Sequence, residues 1–172
     1  MGVTEMADTA VATSKIAETI PVSITINGQR HEVEVAPHRL LVDFLRDTVG
    51  LTGTKNACET GQCGACTILL DGVSMKSCAI LAAQADGAEI TTIEGLTPDG
   101  ALTPLQSALW EKHGVQCGYC TPGLVLALTD LLNHDPNPAE PDILRQLDGV
   151  MCRCNVYPNA VRAVQSMAGQ GK

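Results

Sequence analysis

Large rings are nearly missing from this chain. Phe44, Trp110, Tyr119 and Tyr157 are the only aromatics, 2% of 172 residues, although 45% of the residues are apolar. A core of Ala, Val, Leu and Ile buries modest area per residue, so it calls for help from another source. Bound metal gives such help, because its binding free energy becomes folding free energy. Basic charge is also scarce: 11 Lys and Arg stand against 19 Asp and Glu, a net charge of −8. That excludes the clustered basic surface of a nucleic-acid binder. No apolar run reaches the ~18 residues of a membrane span. Neither a G-x-G-x-x-G after a strand nor a P-loop occurs, so the chain is not expected to bind flavin or nicotinamide by itself. No nucleophile–base arrangement stands out. The first twenty residues, MGVTEMADTAVATSKIAETI, lack a basic start, a continuous apolar stretch and a twin-arginine pair. They read as a solvated tail and not as an export signal, which makes the cytoplasm the expected setting.

What is present is eight cysteines. A reducing compartment disfavours a disulfide framework, and the cysteine fraction lies below the ~8–10% of disulfide scaffolds. Metal ligation is the better expectation. The first group, Cys58, Cys63, Cys66 and Cys78, is spaced C-x4-C-x2-C-x11-C. Its first three members match the plant-type [2Fe–2S] spacing. Gly61 and Gly64 let the backbone fold tightly enough to aim N–H groups at anionic sulfur. A zinc ribbon would offer two CxxC knuckles, and this group has one. The second group, Cys117, Cys120, Cys152 and Cys154, is spaced C-x2-C-x31-C-x1-C. Two ligand pairs so far apart suit zinc about as well as iron. Each pair precedes a predicted helix, near Pro122 and at Pro158, so two positive helix ends would face one site, which suits an iron–sulfur centre or any other anion.

Between and around these groups the chain divides at Gly95–Gly100. Before it, Pro21 to Val35 alternates about an Asn27-Gly28 turn and reads as a hairpin. Leu40 to Val49 carries one apolar helical face and stops at Gly50. CTILL, the Asp71-Gly72 turn and VSM form a second hairpin, and AEITTIEG a further strand. After the break the pattern turns helical. Thr103-Pro104 opens a helix to His113-Gly114, and Thr121-Pro122 opens one that is apolar nearly all round. A Pro-rich break follows from Asn133 to Pro141, then a short helix over Ile143 to Leu147 and a last one from Pro158 to about Met167. The predicted fold class is α+β, with residues 21–96 as one [2Fe–2S] domain, 97–168 as a helical domain, and tails at 1–20 and 169–172.

LTGTKNACETGQCGACTILLDG, QCGYCTPG and CRC, over about residues 21 to 168, resemble the small iron–sulfur subunit of the molybdenum hydroxylases. That family includes xanthine dehydrogenase, aldehyde oxidoreductases, aerobic carbon monoxide dehydrogenase and bacterial N-heterocycle hydroxylases. The resemblance implies an N-terminal β-grasp domain of plant-ferredoxin type and a C-terminal four-helix bundle. It implies two [2Fe–2S] clusters, a proximal one on Cys117, Cys120, Cys152 and Cys154 and a distal one on Cys58, Cys63, Cys66 and Cys78. It further implies a large subunit holding the molybdenum–pterin cofactor, with Gln116 and Cys154 approaching the pterin, and a medium FAD-binding subunit or another acceptor. The substrate of such a complex would be an aldehyde or an N-heterocycle. Two positions depart from the family. Val156 stands where many relatives have Gly, which disfavours a left-handed backbone there, and Ala57 replaces a Gly common before the first ligand.

Other candidates have plainer explanations. His31, His38, His113 and His134 lie at no ligand spacing, and His113 at a helix end favours the dipole. Asp43, Asp47, Glu94 and Asp99 read as solvated charge. Tyr119, between two cysteines, is expected to cover a cluster and exclude water. Without the resemblance, Gln116 reads as an ordinary helix-end amide. The competing functions are a free-standing two-cluster ferredoxin, which needs no helical half, and a zinc-stabilised interaction module.

Overall fold

The computed structural model describes residues 18–97 and 99–167; most of both expected tails lies outside these. Two glycine turns set up the sheet. β1 (Ile20–Ile26) and β2 (Gln29–Val35) meet through Asn27 and Gly28, and β3 (Thr67–Leu70) and β4 (Val73–Lys76) through Asp71 and Gly72. All four turn residues have positive φ, the two-residue geometry that matches the twist of a hairpin. β5 (Glu89–Thr91) lies between the hairpins, parallel to β1 and antiparallel to β3, giving the order β2-β1-β5-β3-β4.

β5 is shorter than AEITTIEG suggests. The chain leaves the sheet after Thr91 because its next polar groups are held elsewhere. The Thr92 N–H donates to Asn27 Oδ1 at 2.9 Å, and Glu94 Oε1 accepts the Gly53 N–H at 2.7 Å. The helix expected over Leu40–Val49 is a short α1 (Leu41–Asp43) that widens into a π-helical turn over Phe44–Thr48. Its Val49 N–H reaches back to the Phe44 carbonyl, and Gly50 at φ 85° lets Leu51 N–H close the end on Leu45. Leu41, Phe44 and Leu45 are buried against Val22, Ile24, Ile26, Ile68 and Ile90. Phe44, fully buried, is the single large ring in this cluster.

The rest of the chain is helical. α2 (Pro104–Glu111) starts on a reciprocal cap between Thr103 and Gln106, with Pro104 in the first turn. α3 (Thr121–His134) begins directly after Cys120, and α5 (Tyr157–Met167) begins after Asn155 and Val156, which follow Cys154. α4 (Glu140–Leu147) starts three residues earlier than the sequence suggests, because Pro141 sits in its first turn, where a missing N–H costs nothing. These four helices share a second apolar cluster built around Leu109, Leu124, Leu128, Ile143, Leu147, Val150 and Ala160. The described residues form an α+β fold, a five-stranded sheet with five α-helices.

The two clusters meet across the sheet. α3 packs on β3 and β4. The approach is close enough that a Cβ on Gly123 would collide with the Gly64 carbonyl, and one on Gly64 with the Gly149 carbonyl. Gly64 also has φ 68°, so only glycine satisfies both demands there.

Candidate functional site

The first cysteine group lies on the loop between α1 and β3 and on the turn after β4. Left-handed Glu59, Gly61 and Gly64 curl the loop tightly. Cys58 Sγ thereby accepts the Thr60 and Cys63 N–H groups, each at 3.4 Å. The Thr60 side chain, the Cys63 N–H and the Thr60 N–H together hold the Cys58 thiol down at about 5. Cys66 and Cys78 sit deeper, packed under Val42 of α1. Burial, with the Cys78 thiol adding to it, pushes Cys66 up to about 11. The Ser77 hydroxyl and N–H both donate to the Cys66 carbonyl and fix this inner pair.

The second group repeats that pattern on helix ends. Cys120 is the residue before α3, and Cys152 and Cys154 lead into α5, so the positive ends of two helix dipoles fall on this group. Burial, followed by the Cys152 thiol, pushes Cys120 up to about 12. Cys117 is exposed. The Tyr119 N–H first, then the Cys154 thiol, hold it below the ordinary thiol range. The Tyr157 hydroxyl takes the Cys152 N–H at 2.6 Å and donates to the Val150 carbonyl at 3.1 Å, which ties the ligand loop to α5. The left-handed residue of this loop is Asn155, at φ 57°, while Val156 is buried in the helical cluster.

The stronger thiol–thiol interactions join Cys58 with Cys63, Cys66 with Cys78, Cys117 with Cys154 and Cys120 with Cys152, and in the second group Cys117 also acts on Cys120 and Cys152 on Cys154. Each group has a buried pair and a more exposed one. Among the described residues, no three His, Cys, Asp or Glu come together to hold one ion. That disposition fits a binuclear centre, whose two irons take two thiolates each. N–H groups aimed at sulfur and helix N-termini suit its negative charge.

The groups also approach one another. A cavity of about 200 Å3 is lined by Cys63 of the first and by Cys117, Cys120 and Cys152 of the second, with Ala57, Tyr119 and Arg153. The Tyr119 hydroxyl crosses to the Asn56 carbonyl at 2.7 Å, so this ring bridges the halves as well as covering the space. Gln116 is exposed, but its amide is not idle. Nε2 donates to the Cys154 carbonyl at 3.2 Å, which brings together the two residues expected to touch a pterin. The histidines take ordinary places: His113, at φ 56°, closes α2, and His134 pairs with Asp130 at 3.1 Å. Sequence reasoning missed Asp130, Ser74 and the Tyr157 hydroxyl. Only Asp130 left a signal, as the one carboxylate in an apolar helix.

Known proteins resemble this chain throughout. Residues 24–92 match the 2Fe-2S iron-sulfur cluster binding domain family, and residues 92–165 the [2Fe-2S] binding domain family. The nicotine 6-hydroxylase small subunit of Paenarthrobacter nicotinovorans is 43% identical over 160 residues, 93% of this chain and 96% of that protein. Caffeine dehydrogenase subunit gamma of a Pseudomonas species, strain CBB1, is 47% identical over 150 residues, 86% and 90% of the two chains. Quinoline 2-oxidoreductase from Pseudomonas putida 86 superposes with a TM-score of 0.82 at 40% identity, covering 90% of this chain and 99% of that one.

Proposed function

Since the chain belongs to the small iron–sulfur subunits of the molybdenum hydroxylase family, and is thus a subunit of an oxidoreductase, we propose that its two cysteine groups each hold a [2Fe–2S] cluster in an electron relay. Cys58, Cys63, Cys66 and Cys78 hold the distal cluster and Cys117, Cys120, Cys152 and Cys154 the proximal one. The observation that carries this is the cavity that Cys63 shares with Cys117, Cys120 and Cys152, with a buried and a more exposed pair of thiols in each group. Each cluster, when bound, accepts and releases one electron at a time. The protein's own residues hold the thiolates, direct N–H groups at sulfur, keep Cys66, Cys78, Cys120 and Cys152 out of water, and set the gap between the groups.

The edge formed by exposed Cys117 and Gln116 with half-buried Cys154 is where a partner would dock. In this reading the partner is a large subunit with a molybdenum–pterin cofactor, contacted by Gln116 and Cys154. Electrons leave on the Cys58 side to an FAD-binding subunit or another acceptor. The substrate of the complex is an N-heterocycle or an aldehyde; nicotine, caffeine and quinoline in the relatives' names favour the former. Residues 21–96 act as a β-grasp domain and 97–168 as a four-helix bundle. The setting in this reading is a reducing cytoplasm, where the eight cysteines stay available as iron ligands.

Native purification under anaerobic conditions tests this. The expected result is a brown complex with co-purifying larger subunits, molybdenum, and two distinct EPR signals from [2Fe–2S] centres on reduction. A colourless, EPR-silent protein with stoichiometric zinc would refute it, and so would recovery only as a free, molybdenum-free monomer.

A further inference from the structure

One carboxylate interrupts α3. From Thr121 to His134 every other side chain except His134 is uncharged, yet Asp130 is only 9% exposed. A buried carboxylate is costly unless partners replace the water it loses. Here the partners come from the sheet. Asp130 Oδ2 accepts the Ser74 N–H at 2.9 Å and also the Ser74 hydroxyl, while Oδ1 faces His134 Nδ1 at 3.1 Å. Gln146 of α4 completes the set: its Nε2 donates to Ser74 Oγ at 3.2 Å and to the Ala127 carbonyl at 2.9 Å.

α3 is therefore attached to the sheet half at two places. Its first turn presses Gly123 against the Gly64 carbonyl, and its third turn holds β4 through Asp130. Seven residues separate these points, roughly 10 Å along a helix. The packing of α3 on β3 and β4 holds the helix close, and two fixed points at that distance set its angle. Thiols stand at both ends of the linkage. Cys120 immediately precedes α3, Cys66 immediately precedes β3, and β4 runs on to Cys78.

We propose that Asp130 and Ser74 are positioning residues for electron transfer, a polar strut that works with the Gly64–Gly123 joint to fix the separation and angle of the two cysteine groups. This rests on the two-cluster assignment above. One electron at a time passes between the groups with no bond made or broken and no proton moved, so separation and orientation are what the protein can set. Apolar packing would hold the halves together as firmly. Two donors on one residue aimed at one carboxylate oxygen do something more, because they accept a single placement of the hairpin on the helix.

EPR of the reduced, cluster-loaded full chain tests the strut. Asp130→Ala should keep its iron and the signal of each centre while losing magnetic splitting between the two. Asp130→Asn, whose amide oxygen can still accept from Ser74, should restore the splitting. A melting temperature lowered with unchanged splitting assigns the contact to stability alone and overturns the proposal. If Asp130→Ala purifies without iron, Ser74→Ala takes its place under the same criteria, since it removes the hydroxyl and leaves the N–H. A wild-type chain without two [2Fe–2S] signals refutes the cluster assignment itself, which is a different failure from unchanged splitting.

Discussion

The Met151 N–H donates to the Cys63 carbonyl at 2.8 Å. This bond joins the residue before Cys152 to a residue of the first cysteine group, across the seam where Gly64, Gly123 and Gly149 meet. The seam is backbone against backbone, so a single methyl group should force it open. Gly64→Ala combines that collision with a left-handed φ. It should cost about 1–3 kcal/mol from overpacking alone and lower the iron bound by both groups. Denaturant unfolding with iron analysis checks this; wild-type stability and iron would contradict it.

Cys154→Ser removes one member of the less buried pair of the second group and leaves the first group's loop untouched. The expected outcome is loss of one of two EPR signals and of turnover in the complex, with the other signal kept. Retention of both signals with full turnover would show that Cys154 is not a ligand.

The thiols of the iron-free chain should differ widely in reactivity. Cys58 lies at about 5, a depressed value, so its thiolate is fully formed across neutral pH and is lost only as pH falls through about 5. Cys66 and Cys120 lie at about 11 and about 12, so they stay protonated until strongly alkaline pH. Because thiolate is the nucleophile, alkylation mapped by mass spectrometry at neutral pH should label Cys58 first and Cys66 and Cys120 last. Labelling of these three at similar rates would contradict this order.

Phe44→Ala should be among the costliest core substitutions in the sheet half. Phe44 is fully buried where no other ring can fill the space, and large-to-small changes at such sites cost about 3–5 kcal/mol. Chemical denaturation measures it directly, and a cost near that of a surface substitution would mean the core collapses around the gap.

Much of this fold is legible locally. Asn27-Gly28, Asp71-Gly72 and Thr103-Pro104 each specify their own conformation within a few residues, and all three lie where the sequence places them. The two-by-two pairing of thiols is not legible, because Cys66 meets Cys78 and Cys120 meets Cys152 only once strands and helices are assembled. Asp130 shows the same limit. A carboxylate in an apolar helix signals a buried partner, but Ser74, 56 positions away, has no feature that identifies it. The π-helical turn after α1 was hidden too, since an extra residue in one turn barely changes the spacing of Leu41, Phe44 and Leu45.

The glycine seam has one more consequence. A joint made of peptide atoms has no rotamers and no slack, so its dimensions do not depend on which side chains cover the outside. The outer surface can then be refitted to different companions, residue by residue, while the inner spacing that carries the current stays as it is.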